Sequence, residues 1–462
     1  MQSVTEYQFN AYDLLSSLIY ARTVCPASKH KTFETVIPKL CESGDFSLAQ
    51  IYSCLEYIGS EYEKIIEIYN HQVSNKYKVD TSHTYFDCTN FYFEIDKEDE
   101  FRRKGPSKEN RKDPIVGMGL LLDANQIPIG MKLFPGNESE KPVLRDVIDG
   151  LKKKNNINGK TIQVADKGLN CAENIKHAIE SGDGYIFSKS VKQLPRTEKE
   201  WVLLDNDYTD IKDAAGNVMY RIKECTDEFP YKLKNESGKT VTVKFKEKRV
   251  VTYNPTLAKK KLYEINKLVE KARELSTYHA KKSEYGECSK YVLFKAKSKA
   301  GEITDEDIVA TINTSAIEED KKLAGYNLIV TSETYLSSEY IYSAYHNLWR
   351  IEESFKVMKS QLDARPVYLQ KKETITGHFL ICYLSVLLLR LLQFKELNNE
   401  FSTEEIMEFA RSFKVVKISD RKYINLLRAS DLINRLAIKT SLPLKNYYLN
   451  LTDIKNVLNH RF

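Results

Sequence analysis

A β-strand is predicted over residues 83–95 by the sequence HTYFDCTNFYFEI, in which aromatic and β-branched residues dominate. Two further apolar runs follow, IVGMGLLLD at 115–123 and IPIGMKLFPG at 127–136, separated by the turn residues Ala124-Asn125-Gln126. Short strands joined in this way commonly pair with their sequence neighbours. The stretch therefore predicts three consecutive antiparallel strands.

Helices and strands alternate after these three strands. Apolar residues recur at helical spacing over 141–153, the strand TIQVAD ends at Asp166, a short helix is predicted at 172–179, and the strand GYIFSKS covers 184–190. The order β-β-β-α-β-α-β is that of a ribonuclease H-like core, a mixed sheet with flanking helices. The sequence thus predicts an α/β fold with such a core.

Other regions have different patterns. Residues 191–335 are β-rich and charged around a basic helix from Thr256 to about Lys282, whereas an amphipathic helix runs from Ser338 to about Asp363. The predicted organisation is a helical N-terminal region at 1–80, the first part of the core at 81–190, a β-rich insertion subdomain at 191–335, the remainder of the core at 336–395, and a helical C-terminal region at 396–462.

The N-terminal region has a helical pattern from Ser47 to Tyr69 that is interrupted at Ile58-Gly59-Ser60. A helix-turn-helix that binds DNA would have this pattern, and so would any small helical bundle. Both interpretations remain open at this point.

Composition limits the class of protein. Of the 462 residues, 42% are hydrophobic and 29% charged, as in folded soluble proteins. Lys plus Arg outnumber Asp plus Glu by 70 to 64, which favours polyanionic partners without requiring them. The eight cysteines are scattered without a CxxC pair, which favours reduced thiols and a cytoplasmic protein.

No targeting or membrane segment is predicted. The initial MQSVTEYQFNAYD lacks the basic and apolar stretches of a secretion signal. The most apolar stretch, Phe379–Leu389, ends at Arg390 and is shorter than the roughly 20 residues that span a bilayer. We interpret it as a buried core helix.

Two aspartates occupy positions that require an explanation. Asp87 lies within the first strand, where an ionised side chain is costly unless it is paired or binds a metal. An edge position or an inward salt bridge is the alternative. Asp166 ends the fourth strand, where ligand sites of α/β sheets gather, although a turn or a helix cap is also common there.

Glu352 lies in a predicted helix that also carries Tyr345 and Lys359 at seven-residue spacing. In a continuous α-helix, such residues fall about 20° short of two full turns, so the three side chains are predicted to share one stripe. The adjacent Glu353 points about 100° away and is assigned either a structural role or a supporting role beside the metal ligands.

Carboxylates are the hard oxygen ligands that Mg²⁺ and Mn²⁺ prefer. Two such ions about 3.5–4 Å apart activate an attacking hydroxyl and stabilise the leaving oxygen of a phosphodiester. A site of this kind would form if Asp87, Asp166 and Glu352 converge, with Lys359 near a phosphate.

Three motifs carry a family resemblance: YFDCTNFYFE at 85–94, VADKGLN at 164–170 and YHNLWRIEESFKVMKSQLDARPVY at 345–368. They resemble the motifs of bacterial insertion-sequence DDE transposases, in the cut-and-paste branch with a Y-x2-R-x3-E-x6-K motif and a β-rich insertion. The resemblance covers roughly residues 10 to 395.

This resemblance implies that Asp87, Asp166 and Glu352 form the catalytic and metal-binding triad, with Mg²⁺ as cofactor and Mn²⁺ as a substitute. It also implies that Tyr345 and Lys359 contact the transposon-end DNA. Family members act on double-stranded DNA, which includes both the terminal inverted repeats and the target. They often form a DNA hairpin on the transposon end as an intermediate. They work as homodimers, for which the C-terminal region is a candidate dimerisation surface.

The sequence departs from the family pattern at one position and leaves another doubtful. The Arg expected three residues after Tyr345 is Leu348, so either Arg350 takes over a phosphate contact or the contact is lost. In related enzymes an aromatic residue near the last strand of the insertion stacks on a flipped base. Tyr326 is the nearest candidate, with an ordinary packed tyrosine as the alternative.

A basic cluster between the first two strands adds candidate DNA contacts. Arg102, Arg103 and Lys104 are close in sequence to Asp87, and cations there would bind a DNA backbone near the metals. A solvated loop is the alternative.

The leading hypothesis is therefore an active transposase that cleaves transposon ends and transfers the strands to target DNA. A catalytically defective or domesticated transposase, which binds DNA without cutting it, is the second. A structure-specific nuclease without a strand-transfer step is the third.

Overall fold

A computed structural model describes residues 9–40, 44–109, 111–154, 159–235, 237–278, 281–296 and 308–461. Some predictions lie outside these residues. They concern residues 1–8, at the start of the chain, and residues 279–280, near the end of the basic stretch. The chain forms two compact units, one from Met1–Val164 with Leu348–Phe462 and the other from Ala165–Asn347. Both contain helices and strands, which confirms the α/β class.

The N-terminal part of the first unit is helical, as predicted. Its helices are α1 (Ala11–Val24), α2 (Lys29–Lys31), α3 (Leu48–Ser60) and α4 (Tyr62–Lys76), with a π-helical turn at Thr32–Val36 and a 3₁₀ turn at Ile37–Lys39. A capping box starts α3, because Ser47 Oγ accepts from the N–H of Gln50 and the Gln50 side chain accepts from the N–H of Ser47. Glu61 alone separates α3 from α4, next to the predicted interruption.

The three predicted antiparallel strands are confirmed. They are β1 (His83–Tyr92), β2 (Ile115–Leu122) and β3 (Pro128–Pro135), and they are followed by α5 (Glu140–Lys154) and β4 (Ile162–Ala165). β2 pairs with both β1 and β3, and the strands lie in the order β3-β2-β1-β4. The chain passes into the second unit at the end of β4.

Different helices cover the two faces of this sheet. Side chains alternate along β1, so Phe86 points to one face and Asp87 and Phe91 to the other. Phe86 and Val143 of α5 border the same glycine of β2, so α5 covers the Phe86 face. The ring of Phe91 lies 4.6 Å from that of Phe379, a C-terminal residue. The face that carries Asp87 is therefore covered by C-terminal helices.

The second unit contains the strands and the basic helix that the sequence pattern predicts. Its elements are α6 (Ala172–Glu180), β5 (Gly184–Lys189), α7 (Arg196–Leu203), β6 (Thr209–Lys212), β7 (Val218–Lys234), β8 (Thr240–Tyr253), α8 (Pro255–Thr277), β9 (Val292–Ala296), β10 (Ile308–Ile312), α9 (Thr314–Lys322), β11 (Tyr326–Thr331) and α10 (Ser338–His346). Five strands have the order β5-β11-β8-β7-β6, and β9 pairs with β10. Ile265 and Val269 anchor α8 in a small core with Tyr291 and Ile317.

The prediction of one helix from Ser338 to Asp363 is wrong. The segment contains α10, then α11 (Trp349–Lys356), then a π-helical turn at Val357–Gln361. The N–H of Ile351 bonds to the carbonyl of Leu348, three residues back, which interrupts the regular four-residue ladder. Leu348 is buried at this break, with 8% of its surface exposed.

This break also corrects the predicted stripe. Tyr345 lies on α10, Glu352 on α11 and Lys359 in the π-helical turn, so the seven-residue spacing does not align them on one α-helix.

The C-terminal region is only partly helical. Its elements are α12 (Lys372–Arg390) with a π-helical continuation (Leu391–Glu396), α13 (Thr403–Ser412), β12 (Val415–Ser419), β13 (Lys422–Asn425), α14 (Asp431–Thr440), β14 (Tyr448–Asn450) and α15 (Leu451–Asn459). The last three strands form a small antiparallel sheet, which the sequence prediction of a helical region missed.

α12 is the central helix of the first unit. A Cβ atom added to Gly59 of α3 would lie 1.8 Å from the carbonyl oxygen of Glu373, and one added to Gly377 of α12 would lie 2.2 Å from that of Leu55. The two backbones therefore touch through glycines. With its continuation, the helix is long and apolar enough to cross a membrane, contrary to the length argument, but 83% of its apolar window is buried inside the protein. The predicted core helix is confirmed.

Candidate active site

Asp87 lies in the middle of β1, opposite Leu120 of β2, with 19% of its side chain exposed. Its Oδ1 accepts a hydrogen bond from the N–H of Cys88 at 2.8 Å and lies 3.8 Å from Lys108 Nζ. The same ammonium donates to the carbonyl of Cys88 and lies 3.8 Å from Glu140. The salt bridge considered for Asp87 is therefore present, and Lys108 provides positive charge beside this carboxylate.

Glu352 and Glu353 are adjacent on α11 but have opposite surroundings. Glu352 is exposed, whereas Glu353 lies 3.0 Å from the guanidinium of Arg350 and 3.3 Å from that of Arg390. Arg390 is 1% exposed and also donates to side-chain oxygens of three neighbouring residues. Glu353 thus has the structural role predicted for it.

Asp87 and Glu352 lie on the same side of the first unit's sheet. α11 packs against β1, and Lys359, in the turn directly after α11, has its Nζ 5.3 Å from the centre of the Phe91 ring. Phe91 and Asp87 share one face of β1. The fold therefore brings the strand and the helix that carry these two carboxylates into contact.

Asp166 belongs to the second unit and is held by two hydroxyl groups. Ser188 Oγ of β5 donates to Asp166 Oδ1 at 2.8 Å, and the hydroxyl of Tyr345 of α10 donates to the same oxygen at 3.0 Å. Asn170 donates to the carbonyl of Ser188 at 2.8 Å, which ties the loop after β4 to β5. Sequence reasoning missed Ser188, because a serine in a buried strand gives no signal of its partner.

The chemistry of these side chains fits a divalent metal. All three predicted ligands are carboxylates, and in the described part of the chain both donors to Asp166 bind Oδ1 and none binds Oδ2. Among the described residues, no group of three or more His, Cys, Asp or Glu side chains is already placed to hold a metal ion. Asp87, Asp166 and Glu352 remain predicted ligands.

Buried basic groups fix the chain just after the π-helical turn. Arg22 donates to the carbonyl of Leu362, and His378 Nε2 lies 3.0 Å from the carbonyl oxygen of Ala364. Lys29 Nζ lies 3.1 Å from His378 Nδ1, so Lys29 donates to a neutral imidazole. Burial, together with the nearby Arg22, lowers the pKa of Lys29 from 10.5 to about 7. These contacts hold the chain directly after the π-helical turn that follows the helix of Glu352.

The predicted DNA-contact residues differ in the contacts that their side chains already make within the protein. Arg102 pairs with Asp99 at 2.6 Å and donates to the carbonyl of Leu369, whereas the side chain of Lys104 is exposed. Arg103 is half-buried and forms a backbone bridge with β2.

Two further predicted contacts are packed against aromatic rings. The guanidinium of Arg350 lies 3.9 Å from the ring of Trp349, and the ring of Tyr326 lies 4.8 Å from that of Tyr253. Tyr326 is half-buried at the start of β11, as in the alternative of a packed tyrosine. Their contacts with DNA stay predictions.

Glu109, Lys359 and Arg365 form an ion-pair cluster that sequence reasoning did not identify. Glu109 Oε1 lies 3.2 Å from Lys359 Nζ, and Oε2 pairs with Arg365. Burial lowers the pKa of Lys359, although Glu109 acts to raise it. Burial acts to raise the pKa of Glu109, but Arg365 and Lys359 hold it below its usual value. The cluster therefore places one carboxylate between two basic side chains.

Comparison with known proteins assigns the family. A family model described as the transposase DDE domain matches residues 80–388, about two thirds of the chain. Comparison with curated protein sequences finds no match. The matched span begins just before β1, ends within α12 and contains Asp87, Asp166 and Glu352. By this match, the chain belongs to the transposase DDE domain family.

Proposed function

We propose that this protein is a cut-and-paste DNA transposase in which Asp87, Asp166 and Glu352 bind Mg²⁺, with Mn²⁺ as a substitute. It cleaves the DNA at the transposon ends and transfers the strands to target DNA. The observation that carries this proposal is the family match, whose span includes all three carboxylates. The order β-β-β-α-β-α-β, with strand order β3-β2-β1-β4 in the first unit, supports a ribonuclease H-like core.

The three carboxylates have rigid supports. Asp87 is on a central strand, Asp166 is oriented by Ser188 and Tyr345, and Glu352 is on a helix fixed by the Glu353–Arg390 pair. Bound metal ions would polarise the phosphodiester and activate the attacking hydroxyl. Supports of this kind orient each carboxylate before a metal binds.

The partners follow from the same proposal. They are double-stranded DNA, both terminal inverted repeats and target, and a second copy of the chain that holds the other end. Tyr345, Arg350, Lys359 and the cluster Arg102–Lys104 are the proposed DNA contacts, with Tyr326 for a flipped base. For Tyr345, the hydrogen bond to Asp166 adds a positioning role.

DNA cleavage tests the proposal directly. The purified protein is incubated with Mg²⁺ and linear DNA that carries the inverted repeats flanking its gene, together with a target plasmid. We expect cuts at the repeat ends and joined plasmid products, both absent with Asp166→Asn. If the wild-type protein bound the repeats without cutting them, the proposed enzymatic activity would be contradicted.

Ser188→Ala tests the support of Asp166. We expect cleavage to fall about 10-fold or more, because residues that orient a metal ligand typically contribute 10–100-fold, while DNA affinity stays unchanged. Ser360→Ala is the matched control, since its hydroxyl donates to the carbonyl of Lys356 in an exposed turn. Equal cleavage rates for the two variants would exclude this role of Ser188.

A second candidate function is DNA binding without cleavage. It is favoured by Leu348, which replaces the expected arginine and is buried, so that no phosphate contact is available at this position. The cleavage assay distinguishes the two functions. A protein that only binds DNA shows no cleavage, either as the wild type or as the Asp166→Asn variant.

A further inference from the structure

A turn between β1 and β2 carries an acidic residue to a fixed position. We call the turn Pro106–Glu109 the anchored turn, because its contacts hold it against β1. Asn90 Nδ2 donates to the carbonyl of Pro106 at 3.1 Å, and Lys108 Nζ donates to the carbonyl of Cys88. Glu109 is the last residue of this segment, so its carboxylate is presented by a turn that is anchored to β1.

Glu109 binds two cations that come from the segment after α11. Each carboxylate oxygen has its own partner, Oε1 with Lys359 and Oε2 with Arg365. The side chains of Lys359 and Arg365 are 16% and 24% exposed, so both charges are largely withdrawn from solvent. Their positions are further fixed by aromatic rings, since Lys359 lies over Phe91 and Arg365 lies 4.9 Å from the centre of the Tyr92 ring.

This pair of cations has the chemistry of a phosphodiester site. A phosphodiester is a monoanion with two unesterified oxygens, and arginine and lysine are the side chains that bind it. The carboxylate of Glu109 has the same charge and the same number of oxygens. Two partly buried cations repel each other unless an anion lies between them, so the site needs Glu109 when no other anion is bound.

We propose that Lys359 and Arg365 form a DNA-phosphate site, that Glu109 fills it in the free protein, and that DNA binds by displacing Glu109. The inference rests on the proposed function, because DNA supplies the phosphate. It adds Arg365 to the DNA contacts and makes the anchored turn an internal competitor. A site that must first release an internal ligand binds DNA with a higher apparent Kd.

Glu109→Gln tests the competition, since it removes the charge and keeps the size of the side chain. Binding of the terminal-repeat duplex is measured by fluorescence anisotropy at one fixed salt concentration. We expect the Kd to be about 3–10-fold lower than that of the wild type, because a partly exposed ion pair that competes with DNA has been removed. Glu408→Gln, an exposed residue of α13, makes the same change in net charge and is expected to bind like wild type.

A double-mutant cycle identifies the site. Arg365→Ala is expected to weaken binding, and Glu109→Gln is expected to gain less in the Arg365→Ala background than in the wild type, because the two residues share one contact. Thermal unfolding shows which variants are folded. An equal gain in both backgrounds, or no gain beyond that of Glu408→Gln, overturns the inference.

Failure of the proposed function gives a different result. A wild-type protein that neither binds nor cleaves the terminal-repeat DNA overturns both proposals. Normal binding and cleavage by the wild type, without tighter binding by Glu109→Gln, overturns only the competition by Glu109.

Discussion

Glu352→Gln is expected to abolish metal-dependent DNA cleavage while the protein keeps its fold and its affinity for DNA. The substitution conserves the size of an exposed side chain but removes the charge that a metal ion needs. Losing about 4 kcal/mol of transition-state stabilisation corresponds to a rate decrease of about 1000-fold. Single-turnover cleavage of terminal-repeat DNA at saturating protein measures this loss.

Glu353→Gln is the matched control for this prediction. The neighbouring glutamate carries the same charge but pairs with Arg350 and Arg390, so its loss is expected to lower thermal stability and to leave the folded protein able to cut. Cleavage by Glu352→Gln at the wild-type rate would remove Glu352 from the proposed active site. Wild-type cleavage by Glu352→Gln together with loss of cleavage by folded Glu353→Gln would show that the two residues had been assigned the wrong way round.

Arg390→Met is expected to destabilise the protein by about 3 kcal/mol, near the lower end of what breaking a buried pair costs. Arg390 lies in the core of the first unit, and its guanidinium donates to Gln393 at 2.6 Å, to Thr403 at 2.9 Å and to Ser354 at 3.3 Å. Its removal takes one donor from each of these oxygens and from Glu353, which keeps its bond from Arg350.

Urea denaturation followed by circular dichroism measures the effect of Arg390→Met. The control is Arg428→Met at an exposed position, where surface substitutions usually change the free energy of unfolding by no more than about 0.5 kcal/mol. Equal midpoints for the two variants would mean that the buried arginine contributes nothing to stability.

Local patterns in the sequence were sufficient to predict some features. The apolar runs around Asp87 and before Asp166 predicted their strands, because the composition of a buried strand depends on its immediate surroundings. The different orientations of Glu352 and Glu353 followed from helical geometry alone.

Features set by tertiary contacts were not predictable in this way. Apolar periodicity continues through Leu348, so the break between α10 and α11 has no local signal. The hydrogen bond from Ser188 to Asp166 and the ion pair between Glu109 and Arg365 join residues that are distant in the chain. No spacing rule covers such pairs, and only the folded backbone brings them together.

The glycine contact between α3 and α12 also bears on the helix-turn-helix interpretation of the N-terminal region. A recognition helix must turn one face to the base edges in the major groove and supply basic side chains to the flanking phosphates. α3 presents its Gly59 face to the backbone of α12, and its sequence, LAQIYSCLEYIGS, contains neither lysine nor arginine. α3 therefore lacks the free basic surface that a recognition helix needs, whereas α4 carries the exposed Lys64 and Lys76.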